Sequence, residues 1–148
     1  MALRTVLPRL LLGLAFGILV VLGTSATPPK VSVYVISPKN GDAVTNPFTV
    51  QFGLIGMGIA PAGDDKPNTG HHHLLIDTTL SPDELKQPIV NDARHLHFGG
   101  GQTETELTLP RGRHTLQLVF GDWSRTPFNP PIASPVITVT VKTGEDQQ

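Results

Sequence analysis

Hydrophobic and polar side chains alternate along this chain in short runs, and turn formers separate the runs. Val31-Ser-Val-Tyr-Val-Ile36 alternates and stops at Ser37-Pro-Lys-Asn-Gly-Asp42, a turn signal. Phe48, Val50, Phe52 and Leu54 then fall on one face, with Thr49 and Gln51 on the other, as in a strand with one buried side. Further strands are predicted at His71–Asp77, Arg94–Phe98, Gln102–Leu109, Arg113–Phe120 and Val136–Lys142, the fifth and sixth reading as a pair around Pro110-Arg-Gly112. Residues 53–70 form a long loop, a length that in compact domains accompanies function or motion. Thr78–Ala93 is a connection with one helical turn at Ser81-Pro-Asp-Glu84, where Ser81 caps and Pro82 takes the first position. No stretch supplies the helical crossovers that parallel strands need. The pattern predicts an all-β fold over residues 31–142, an immunoglobulin-like antiparallel β-sandwich of about seven strands.

Composition narrows the setting. The 15 glycines and 14 prolines of the 148 residues lie between the alternating runs and act as punctuation. Eleven basic and 12 acidic residues leave a formal charge of −1 without a long block of either sign, which argues against nucleic acid as a partner. Residues 1–26 read as a signal peptide: Arg4 and Arg9, the apolar run Leu10–Leu22, and Thr24-Ser-Ala26 for cleavage. Uncleaved, the same stretch would be an N-terminal anchor and the only contact with a membrane. Both alternatives export the domain, to the periplasm or the extracellular space. Cysteine is absent, so neither disulfides nor thiolate ligands are available. Residues 143–148 read as a disordered tail.

All six histidines, His71, His72, His73, His95, His97 and His114, lie between residues 71 and 114. Residues two apart in a strand share a face about 6.6 Å apart, so His71 pairs with His73 and His95 with His97. Such pairs can converge on a first-row ion at about 2.0–2.1 Å when a neighbouring strand adds a ligand. The predicted ligands are His71, His73, His95, His97 and His114, the ion copper or zinc. Protonation of ordinary imidazoles would release it between about pH 7 and 5. Gln102, Glu104 and Asp122 are the groups expected to orient the rings by hydrogen bonding. Parity does not tell which face of His71–Asp77 is buried, and it sets His114 with Leu116, Leu118 and Phe120 towards the core. Gly99-Gly-Gly101 marks a bend or a close backbone approach.

Other chemistry is sparse. Trp123, the only tryptophan, stands in a loop with three prolines, where it could stack on a sugar or peptide or simply pack an edge. No Gly-x-Ser-x-Gly elbow, phosphate-binding glycine loop or His-Glu-x-x-His helix occurs, which disfavours an enzyme.

Ser37–Val44 followed by Phe48–Phe52 resembles the first hairpin of bacterial immunoglobulin-like domains. Gly70-His-His-His-Leu-Leu-Ile-Asp77, His97-Phe-Gly-Gly-Gly-Gln-Thr-Glu104, His114-Thr-Leu-Gln-Leu118 and Gly121-Asp122 resemble the signature of a bacterial domain-of-unknown-function family of small exported proteins, over about residues 31–142. That resemblance implies the fold and no activity. It also implies histidines after Gly-Asp and before the Pro-Pro pair, where this chain has Arg125 and Phe128. Two functions compete. One is a module binding copper or zinc through its strand histidines. The other is a structural or interaction module whose histidines form a buried hydrogen-bond network with Gln102, Glu104 and Asp122, and whose loops bind a protein, a glycan or another component of the cell envelope.

Overall fold

The computed structural model describes residues 30–143, so the expected signal peptide at 1–26 and all of the expected tail but Thr143 lie outside the described residues. Ten strands occur among them: β1 Ser32–Ser37, β2 Ala43–Thr45, β3 Phe48–Ile55, β4 Gly58–Ile59, β5 Thr69–Ile76, β6 His95–His97, β7 Glu104–Leu107, β8 Gly112–Gly121, β9 Pro127–Ala133 and β10 Ile137–Lys142. The expected all-β sandwich is present. Its strands number more than about seven because β2, β4 and β9 form in segments that read as turn or loop. Of these, β9 contains Pro127, Pro130 and Pro131, residues that a strand accepts only where its ladder is incomplete.

Two sheets face each other. The smaller has the order β1-β3-β7, and the larger has β2-β10-β8-β5-β4 with β6 also on β5 and β9 also on β8. Pairing is antiparallel except at β2 with β10 and β4 with β5, two short parallel pairs that the alternation pattern did not anticipate. The expected pairing of the strands around Pro110 is not formed. β7 pairs with β3 while β8 pairs with β5 and β10, so the chain changes sheets at this corner. Asn46 holds the corner, its amide donating to the Leu109 carbonyl at 2.6 Å and its Oδ1 accepting the Leu109 N–H at 3.1 Å.

The main core lies between the sheets. Val33, Phe48, Val50 and Phe52 meet Leu74, Ile76, Leu116, Leu118, Val139 and Val141 there. Each such fully buried aliphatic or aromatic side chain contributes about 1.5–3 kcal/mol. A second, smaller cluster of Leu75, Ile89 and Val119 lies on the other face of the larger sheet, with Leu80 packed against it. Central strand β5 is therefore buried on both faces. The cover over its outer face is tied down by main-chain bonds from Ala60 to Gly70, Ala62 to Gly99, Gly63 to Trp123 and Ile89 to Arg125, at 2.8–3.0 Å. The helical turn expected near Ser81 is a 3-10 turn at Glu84–Lys86. Ser81 and Glu84 exchange reciprocal bonds ahead of it: the Ser81 N–H donates to Glu84 Oε2 at 2.8 Å and the Glu84 N–H to Ser81 Oγ at 3.3 Å.

Candidate metal centre

Strand register brings the histidines together. In β5, His72, Leu74 and Ile76 point into the main core, which leaves His71, His73 and Leu75 on the outer face. β6 lies antiparallel to β5 with His97 opposite His73 and His95 opposite Leu75. Opposed residues share a face, so His97 joins His73 and, one diagonal step away, His71. One ring nitrogen from each of His71, His73 and His97 lies within 4.8 Å of the others. The ring centroids of His71 are 4.9 Å from both His73 and His97, and the His73 and His97 rings stack at 5.1 Å. His71 Nε2 and His97 Nε2 are 3.1 Å apart, a hydrogen bond in which either ring can donate.

Glycines make room for these rings. A Cβ at Gly99 would lie 2.5 Å from His97 Cε1 and 2.7 Å from its Nε2, and a Cβ at Gly121 would lie 2.8 Å from His73 Cε1. Gly121 stands opposite His71 in the β5–β8 register. The close approach expected at the triglycine thus occurs at Gly99, and the bend at Gly101, where φ is +84°.

Burial then fixes the chemistry. His71 and His73 are 0% exposed, while His97 is half-buried. Burial lowers the His71 pKa to about 4, helped by His97 and Arg125 and opposed by Asp122. Burial lowers His73 to about 3, helped by His71, His97 and Arg125. His97 is lowered by burial and then by Arg125. All three are held neutral, the state in which imidazole donates to a metal. His71 Nδ1 and both ring nitrogens of His73 are buried without a protein hydrogen-bond partner. Native proteins rarely leave such groups unpaired, and the neutral rings offer one nitrogen each of the kind that a transition metal takes. An ion with three nitrogens at about 2.0–2.1 Å holds them about 3.3–3.6 Å apart, so ring rotations that move the atoms by roughly 1 Å complete the set.

The remaining histidines are placed elsewhere. His72 packs against Phe52 and Phe120 at 5.2 and 5.3 Å between centroids. Burial lowers it to about 4 against the influence of the Gln102 main chain, and neither ring nitrogen completes a hydrogen bond. His95, opposite Leu75, turns its Nδ1 to Asp92 Oδ1 at 2.8 Å. His114, predicted as a ligand, has Nδ1 2.7 Å from Asp77 Oδ2 and Nε2 2.8 Å from the Pro110 carbonyl. Both partners are acceptors, so both nitrogens donate and no lone pair is left for a metal. Burial pulls the His114 pKa down, but the bonds to Asp77 and Pro110 outweigh it and the net shift is upward.

The three groups expected to orient the rings do not bond to them through their side chains. The Gln102 side chain accepts the Gly100 N–H at 3.0 Å. Glu104 accepts from Gln51 in the smaller sheet at 3.2 Å. Asp122 Oδ1 accepts from the Ser124 N–H, the Ser124 hydroxyl and the Thr126 N–H at 2.7–3.0 Å, and Asp122 reaches the site only through its charge on His71. Trp123 is exposed, and its carbonyl accepts the Gly63 N–H at 2.8 Å. Phe128 stacks on Phe120 with centroids 6.0 Å apart. The cradle glycines and the charge of Arg125 are features of the site that alternation does not reveal. The available signal was glycine directly after a histidine-bearing strand, at Gly99 and Gly121.

No curated protein and no solved structure matches the chain. A family model described as "Domain of unknown function (DUF4399)" matches residues 50–142, which include β5, β6, β8 and every histidine discussed above. The matched segment spans more than half of the chain, and the protein therefore belongs to the DUF4399 family, whose description assigns no function.

Proposed function

We propose that the domain binds one transition-metal ion, copper or zinc, through His71, His73 and His97. The observation that carries this reading is the convergence of three imidazoles from two strands, with His71 Nδ1 and both ring nitrogens of His73 buried without a protein partner and the Nε2 atoms of His71 and His97 facing each other. Each buried polar atom left unpaired costs about 1–3 kcal/mol, and metal ligation removes that cost where a hydrogen bond does not. The competing hydrogen-bond network lacks its connections, because Gln102, Glu104 and Asp122 spend their side chains on Gly100, Gln51 and the Asp122 turn. Metal acquisition or buffering outside the cytoplasm follows if residues 1–26 act as the secretory signal that they resemble.

Calorimetric titration of the tag-free protein with zinc and with copper tests the reading. One ion per chain is expected, with the heat abolished in His73→Ala/His97→Ala. Dissociation constants above about a millimolar, or the same heat from the variant, would remove it.

A further inference from the structure

We propose that a metal ion held by His71, His73 and His97 carries a small anion, a carboxylate or inorganic monoanion, as an additional ligand, and that Arg125 recognises this anion. The inference rests on the metal-binding reading above. Its first support is charge. Among the described residues no carboxylate belongs to the histidine group, so a divalent ion would keep its full charge in a buried site. Uncompensated buried charge is among the costliest arrangements in a protein. Asp122, the nearest acidic influence, has one oxygen engaged by three donors of its own turn.

The second support is the position of Arg125. Its carbonyl carbon lies 3.3 Å from the point where a Gly121 Cβ would stand, and that point is 2.8 Å from His73 Cε1. The residue is fixed there with φ at +73°, its N–H donating to the Asp122 carbonyl at 2.9 Å and its own carbonyl accepting the Ile89 N–H at 3.0 Å. Its charge lowers the pKa of each of His71, His73 and His97, after burial and, for His71 and His73, after neighbouring histidines. The residue is exposed, and among the described residues its guanidinium forms no ion pair. An arginine anchored by its backbone at the His73 cradle, with a charge that reaches all three rings, repels a bound cation unless something negative lies between them. Three histidine ligands leave a coordination position for such a group, and the planar guanidinium fork suits oxyanions and small anions.

Azide is the probe. Added to the copper(II)-loaded protein, it should produce a saturable azide-to-copper charge-transfer absorption. Arg125→Gln should weaken azide binding by about tenfold, and Arg125→Lys should recover part of the loss. Copper affinity of Arg125→Gln should be unchanged or tighter, since a repelling charge has been removed. Copper binding with no azide response, or an azide response indifferent to Arg125→Gln, overturns this inference and leaves the metal site standing. Failure of the wild-type protein to bind copper or zinc overturns both.

Discussion

Gly99→Ala would separate a built metal site from a chance meeting of histidines. The new methyl group would fall 2.5 Å from His97 Cε1, 2.7 Å from His97 Nε2 and 3.2 Å from Ala62 Cβ. Ordinary contact begins at 3.4 Å, so the imidazole must retreat by about 0.7–0.9 Å. The methyl group would crowd the His97 nitrogen that faces His71 Nε2 at 3.1 Å, and it opposes the ring movement of roughly 1 Å that ligation requires. Zinc or copper affinity should fall at least ten- to a hundredfold, about 1.4–2.7 kcal/mol. The metal-free fold should lose about 1–3 kcal/mol, the usual cost of overpacking. Chelator-competition titration gives the affinity, and circular dichroism with urea unfolding gives the stability. Gly100→Ala is the control, because its methyl group would meet only the amide end of the Gln102 side chain, at 3.1–3.3 Å, and affinity should stay within about threefold. Wild-type affinity in Gly99→Ala, with the fold intact, would show that His97 is not a ligand.

Three further outcomes are expected. His72→Leu replaces a buried ring with two unpaired nitrogens by an apolar side chain between Phe52 and Phe120, so it should raise stability by about 1–3 kcal/mol in urea unfolding without changing metal affinity; a comparable loss would contradict the assignment. The raised His114 pKa makes its bond to Asp77 a stabilising contribution that is fully present below the unfolded value near 6.5 and is lost as pH rises through the higher folded value. Asp77→Asn should flatten that part of the stability profile, and an unaltered profile would show that the pair is not coupled to folding. Three ordinary imidazoles would lose about six-hundredfold in metal affinity between pH 7 and 5.5. Because His71 and His73 are held near 4 and 3 and His97 is also lowered, the protein should lose less than about tenfold, a shift of the pH window expected from composition that competition titrations at the two pH values would check.

The fold was largely legible because alternation survives wherever one strand face meets the core. Phe48, Val50 and Phe52 are buried with Thr49 and Gln51 exposed between them, as their period of two requires. Legibility failed where structure depends on distant partners. In β5 both faces are apolar or imidazole, so parity sorted His71 and His73 from His72 without telling which set was accessible; the cover that buries the outer set comes from the 60–63, 88–90 and 122–126 segments. His95 and His97 are equivalent by spacing, and only the β5–β6 register gives His97 the place opposite His73. His114 was drawn into the ligand set by proximity in sequence, whereas its two acceptors are Asp77 and Pro110. β9 was hidden by its prolines, and the crossing between sheets at Pro110 imitates a hairpin turn in composition.

Anomalous diffraction from crystals of the zinc- or copper-loaded protein, recorded at the metal's absorption edge, would locate the ion among the histidines. One peak per chain is expected at about 2.0–2.1 Å from a ring nitrogen of each of His71, His73 and His97. A peak at His95 or His114 instead, or no ordered metal in crystals grown at saturating concentration, would contradict this placement.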